Sequence, residues 1–143
     1  MKRSITKVAA AALATIAAGG TTLATSGPAS ADHIPCPSGR ACIWGGTGWQ
    51  SDGRHDWRHS FVNYDTDFSN NHYGGTAYFA SNNASSMSNK GDFDTVYFYN
   101  GASCTGDVWS WGKNTGDKNL SDGPAGSNNV FSSGAFESFK SSC

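Results

Sequence analysis

The chain has 143 residues, ten basic and eleven acidic side chains, a formal net charge of −1, and an aromatic content of 13 % within a hydrophobic total of 37 %. That length suits one domain of ordinary size and is short for two. The mildly acidic balance excludes the basic footprint of a nucleic-acid or anionic-membrane binder.

Residues 1–31 begin with Lys2, Arg3 and Lys7, run through an Ala-rich apolar stretch to about Ala18, and close on Gly, Thr, Ser and Pro before Ala29-Ser30-Ala31. Basic start, apolar core and small-residue end, in that order, predict a secretory signal peptide. The apolar run is shorter than the roughly 20 residues of a membrane span. Cleavage after Ala31 leaves a domain of residues 32–143 with seven basic and eleven acidic side chains, a net charge of −4. The expectation is a secreted, extracellular, monomeric protein with no membrane attachment after cleavage and no nucleic-acid partner.

Cys36, Cys42, Cys104 and Cys143 all follow the leader, and an exported chain meets conditions that oxidise them. Three pairings are possible. The short separation of Cys36 and Cys42 across Pro37 and Gly39 makes a local bridge the economical one, with Cys104 then tied to Cys143. Zinc held by thiolates is disfavoured because no Cys-x-x-Cys pair occurs.

From Cys36 onward the chain is dense in Gly, Ser and Asn, with clusters of β-branched and aromatic residues between turn signals. Ala41–Trp44, Thr76–Ala80, Thr95–Tyr99 and Asp107–Trp111 read as strands, the third ended by the turn pair Asn100-Gly101. No window shows an apolar stripe at helical spacing, so any helix is short. Short strands with Gly-rich turns point to an all-β sandwich or barrel.

Two stretches echo each other. Trp44-Gly-Gly-Thr-Gly-Trp49-Gln-Ser51 and Tyr99-Asn-Gly-Ala-Ser-Cys104-Thr-Gly106 share one outline, and each precedes an Asn/Ser box, Ser81-Asn82-Asn83-Ala84-Ser85-Ser86 and Asn128-Asn129-Val130-Phe131-Ser132-Ser133. The second box has an alternative placement at Ser132–Glu137. Such duplication predicts one supersecondary unit used twice, neither copy burying its apolar face alone. The first unit carries about eight extra residues, and these fall within Asp52–Gly75 together with His55, His59, His72, Trp57, Phe61, Tyr64, Phe68 and Tyr73. Those aromatics are either binding anchors on a long loop or core of the first unit.

Cys36-Pro-Ser-Gly-Arg-Ala-Cys42-Ile-Trp44, Asn82-Asn-Ala-Ser-Ser-Met-Ser-Asn89 and Thr95-Val-Tyr-Phe-Tyr-Asn-Gly101 together resemble the actinobacterial peptidase inhibitor family I36, whose members resemble βγ-crystallin domains. The resemblance spans roughly residues 36–143. It implies a βγ-crystallin-like sandwich of two Greek-key units, disulfide-bridged, and inhibition of secreted metalloproteases. Cys104 departs from the pattern by standing where the second corner would have an aromatic, and Ser51 stands where the first would have Gly.

Three functions follow for comparison. The first is an inhibitor of an extracellular peptidase, acting through a rigid loop without catalysis. No residue marks that loop, and its candidate surfaces are Asp52–Gly75 and Gly112–Gly126. The second is a calcium-binding or cell-surface module, including a toxin-like role. By resemblance, Ser85 and Ser132 offer hydroxyls while Asn82 and Asn128 open or support the boxes. Those ligands are neutral, so the expectation is no cofactor, or calcium bound weakly. The third is an enzyme, invited only by His55-Asp-Trp-Arg-His59, which lacks the glutamate and the helical setting of a zinc protease motif. The sequence therefore predicts no catalytic residues.

Overall fold

The structure, a computed structural model, describes residues 34–50, 57–92, 94–123 and 126–143. The leader expected at 1–31 and Ser51 lie outside the described residues. Among the described residues no helix is long and apolar enough to cross a membrane.

Among the described residues eight strands form two four-stranded antiparallel sheets. They are β1 (Ala41–Trp44), β2 (Arg58–Phe61), β3 (Tyr64–Asp65), β4 (Ser86–Asn89), β5 (Val96–Gly101), β6 (Thr105–Trp111), β7 (Gly116–Asp117) and β8 (Ser133–Phe136). One sheet has the order β2-β1-β4-β7 and the other β3-β8-β5-β6. The first, second and fourth strands of each unit share a sheet, while the third crosses to the other. β3 pairs with β8 through Tyr64↔Ala135, and β7 pairs with β4 through Ser88↔Gly116. The duplicated all-β sandwich expected from the echo is thus present, and neither sheet is complete without a strand from the other unit.

The four residues of β1 are all buried. Ala41 and Ile43 join the core between the sheets, as alternation along a strand requires. Cys42 and Trp44 face outward, where the Cys36–Cys42 bridge (Cα–Cα 5.8 Å) and Trp49 (ring centroids 6.4 Å from Trp44) cover them. The core is aromatic. Phe98 of β5 stacks on Phe131 at 4.7 Å and meets Phe61, Phe68 and Trp111 edge-on at 5.9, 6.4 and 5.8 Å, the geometries that ring quadrupoles favour. Phe61 and Phe68 come from the first unit and the other three rings from the second. Of the aromatics in the first unit's extra segment, Phe61, Phe68 and Tyr73 are therefore core. Tyr64 is exposed, and Trp57 packs against the core's margin.

One expected strand is absent. Thr76–Ala80 makes only an isolated bridge, His72↔Phe79. The Thr76 hydroxyl donates to Tyr73 O at 3.1 Å and accepts the Tyr78 amide at 3.1 Å, while the Tyr73 amide bonds Tyr78 O. This side-chain competition closes a tight turn where β-propensity alone predicts extension, and leaves Tyr78 and Phe79 exposed. β5 also runs past Tyr99 through Asn100-Gly101, with a register shift at that point, so the turn begins later than the Asn-Gly pair suggests. The described helices are three short 3-10 turns, Thr47–Trp49, Phe68–Asn70 and Glu137–Ser142.

Asn89, fully buried on β4, ties the layers together. Its amide donates to Asp94 O and Trp111 O at 2.9 Å each, and its carbonyl accepts the Gly91 amide at 2.9 Å. Asn89→Ala leaves all three backbone groups without that partner, so the expected loss is about 3 kcal/mol of unfolding free energy, measured by guanidinium denaturation. A loss under about 1 kcal/mol, the worth of one ordinary hydrogen bond, would refute this role.

Candidate functional site

The two echoing segments fold into matching corners, each pinned by one serine. Ser86 donates its hydroxyl to Gly46 O at 2.6 Å and accepts the Trp49 amide at 3.2 Å. Ser133 donates to Gly101 O at 2.7 Å and accepts the Cys104 amide at 3.0 Å. Trp49 and Cys104 both take left-handed backbone, with φ of 60° and 52°. This register aligns Asn128–Ser133 with Ser81–Ser86 and excludes the alternative placement at Ser132–Glu137. The serines that close the boxes, Ser86 and Ser133, were present in the sequence pattern, but nothing in it assigned them this duty.

The corners differ in what secures them. The Trp49 indole donates to Met87 O at 2.9 Å, and Lys118 lies 4.9 Å over its ring. In the second unit Cys104 occupies that place and is bonded to Cys143, with a Cα–Cα distance of 5.5 Å. Lys140 sits 4.0 Å over the Tyr97 ring. Glu137 accepts the Tyr97 hydroxyl and holds that phenol above its ordinary pKa. The chain end is thereby fastened along β5, beneath the β5–β6 hairpin.

That hairpin is the most exposed ordered segment of the second sheet. Ala102, Ser103 and the run Thr105–Val108 are exposed, and Val108 presents 51 % of its surface. Its turn is nevertheless fixed. Asn100 donates to the Asp107 carboxylate at 3.1 Å and accepts the Asp107 amide at 2.8 Å, Thr105 donates to Ala102 O at 2.8 Å, and the Ser103 amide reaches Thr66 O at 2.7 Å. Gly106 has φ +82°, and a Cβ there would stand on the Asn100 amide oxygen, so only glycine fits. β6 is the outer strand of its sheet, and one of its edges is open among the described residues.

The boxes face each other across the unit interface. The Asn82 amide bonds Phe131 O at 2.8 Å and the Asn129 amide bonds Ala84 O at 2.9 Å. Both asparagines are left-handed, with φ of 56°. Of the residues expected at calcium, Ser132 donates to the Asn82 side-chain oxygen at 3.3 Å and stands 3.3 Å from the Ser81 hydroxyl. Asn128 opens the second box, and Ser85 lines a cleft beside the first. Among the described residues no group of three or more His, Cys, Asp or Glu could hold a metal ion. His55 lies outside the described residues. His59 is on β2, with Nε2 2.9 Å from Asp65 of β3, so it links two strands and is not on a helix. The Gly112–Gly126 surface holds β7 and supplies buried Leu120 to the core.

Two stacked sheets with exchanged third strands and serine-pinned corners define a βγ-crystallin-type sandwich. A solved structure described under the evolution of the eye-lens βγ-crystallin domain fold superposes with a TM-score of 0.56 at 13 % identity, over 72 % of this chain and 90 % of that one. A βγ-crystallin from an archaeon and one from Ciona intestinalis each give 0.49, at 14 % and 10 % identity, over 70 % and 69 % of this chain and 99 % and 100 % of theirs. No curated protein matches this chain. Residues 29–111 match peptidase inhibitor family I36. The chain belongs to that family, and the match ends with β6.

Equivalent hydroxyls should matter equally. Ser86→Ala and Ser133→Ala each remove one serine bond to a corner amide and one to a carbonyl, and each is expected to lower stability by about 1 to 3 kcal/mol, measured by thermal and denaturant unfolding. A neutral result at either position would show that its corner is held by other contacts.

Proposed function

We propose that this peptidase-inhibitor family member is secreted, works as a monomer, and blocks an extracellular metallopeptidase with its β5–β6 hairpin, without catalysis. The observation that supports this most directly is the hairpin itself, whose exposed Ala102–Val108 stretch is fastened by Cys104–Cys143 and by Ser133. A peptidase cleft binds extended chain, and an open-edged strand can be added to it by backbone hydrogen bonds. Fixing the loop beforehand reduces the conformational entropy lost on docking. Val108 supplies an apolar anchor beside that edge. Both bridges suit an oxidising compartment, in keeping with the leader expected at 1–31. The metallopeptidase class rests on the resemblance of the sequence to the inhibitor family.

The expected result is stoichiometric inhibition of thermolysin-like enzymes by the purified protein, with less effect on serine peptidases. Val108→Asp is expected to weaken inhibition at least about tenfold, with the melting temperature held within about 2 °C, a shift that corresponds to less than 1 kcal/mol. Full inhibition by Val108→Asp would remove the hairpin from the proposal. No inhibition by the wild-type protein at molar excess would remove the metallopeptidase.

Calcium is a subsidiary reading, favoured only by the facing boxes and the Ser85 hydroxyl. Ser132 and Asn82 already bond each other, and all the expected ligands are neutral, so we propose at most millimolar affinity. A ligand held only by the folded state raises the melting temperature. Calcium at about 1 mM is therefore expected to leave it nearly unchanged, and a rise of several degrees would indicate a tighter site.

A further inference from the structure

Away from the hairpin, a cleft of about 290 Å³ opens where the first unit's extra segment meets the two boxes. Its size is at the small end of ligand sites. Trp57, Tyr73 and Tyr78 wall it with rings, while Asn83, Ser85 and Asn129 edge it with amides and a hydroxyl. Trp57 and Tyr73 are parallel within 4° at 6.5 Å between centroids, and Tyr78 leans against Trp57 at 5.3 Å. Gly45 forms the floor. A Cβ there would stand 2.6 Å from Trp57 Cε3 and 3.2 Å from Tyr73 Cε2, so the missing side chain is what lets the rings settle.

Three features narrow the ligand. Every described side chain lining the cleft is neutral, which disfavours phosphate, acidic or basic partners. Ring faces beside amide and hydroxyl edges suit a molecule that offers C–H faces and O–H edges together. The polar contacts fall to the rim, because Trp57 Nε1–H and the Tyr73 hydroxyl are buried out of reach of solvent. Asn83, one of the rim residues, is held by its amide, which donates to Phe79 O and Ser81 O at 2.9 and 3.2 Å.

We propose that this aromatic cleft between Tyr78 and the two Asn/Ser boxes binds a neutral pyranose unit, either free or within a glycan. The site is independent of the inhibitory hairpin. The protein would then have two working surfaces, one for a peptidase and one that localises it to a carbohydrate.

The test is a titration of the purified protein with cellobiose and with N,N′-diacetylchitobiose, followed by the NMR signals of the Trp57 indole N–H and the Asn83 and Asn129 side-chain amides. Saturable shifts are expected with a midpoint of about 1 to 10 mM. Tyr78→Ala removes an exposed ring, and Asn129→Gly removes an amide while tolerating the left-handed backbone. Each is expected to raise the midpoint at least about tenfold, and Val108→Asp is expected to leave it unchanged. Retention on chitin or cellulose, competed by the matching disaccharide, identifies a polymer as the source. Binding of the disaccharide alone identifies free sugar. No shift at about 50 mM of either disaccharide, well above any useful affinity, overturns the proposal. So do shifts unaltered in both cleft variants, or shifts produced by calcium chloride alone.

Discussion

Mutual completion of the two sheets is the constraint on which the rest depends. β3 and β7 have only two residues each, too few to hold a sheet edge by themselves, yet each closes the sheet of the other unit. Pulling the units apart therefore removes a strand from both sheets at once and exposes Phe98, whose ring neighbours come from both halves. That coupling makes the fold cooperative despite its few aliphatic residues. Burial of Phe, Tyr and Trp supplies a large apolar area per side chain, and two bridges restrict the unfolded chain.

A body closed in this way has little freedom left to pass to its loops, and this matters for recognition. The hairpin at Ala102–Val108 is exposed without being loose. Its turn is fixed from below by Ser133, from the side by the Asn100–Asp107 pair, and covalently through Cys104. An inhibitor gains from this combination, because the docking loss is reduced before the partner arrives. The two functions compared with inhibition ask for different features. A zinc enzyme needs a cluster of ligands, and of the two histidines that invited that reading only His59 lies among the described residues, where it pairs with Asp65. A tight calcium module needs charged ligands, and the boxes offer neutral Asn and Ser, with Ser132 bonded to Asn82 and Ser81.

Much of this plan is written in the sequence, at particular places. The Trp44–Ser51 and Tyr99–Gly106 echo anticipated the paired corners, because a turn pinned by one hydroxyl needs small residues at fixed distances from it. The exchange of third strands was not legible. Tyr64–Asp65 and Gly116–Asp117 are too short to show any alternation, and only the partner strand gives them their role. Thr76–Ala80 misled because its composition favours a strand while the Thr76 hydroxyl captures the backbone locally. The exposure of the hairpin was not legible either, because β6 is exposed through its position at the sheet edge, a property of topology that composition does not carry.

The two corners also show how the halves of a duplicated fold can diverge in surface. In the first, an indole bonded to Met87 O and covered by Lys118 secures the turn. Trp57 and Tyr73 from the nearby extra segment, with Tyr78 just beyond it, line a cleft with Gly45. In the second, a bridge takes over that duty at Cys104, so no aromatic is required there and the turn can stand clear in solvent. Replacing a packed ring by a covalent bond is thus more than a local substitution. Packing secures a turn by covering it, whereas a disulfide secures it and leaves it bare. That difference leaves an aromatic cleft beside the first corner and an exposed turn at the second.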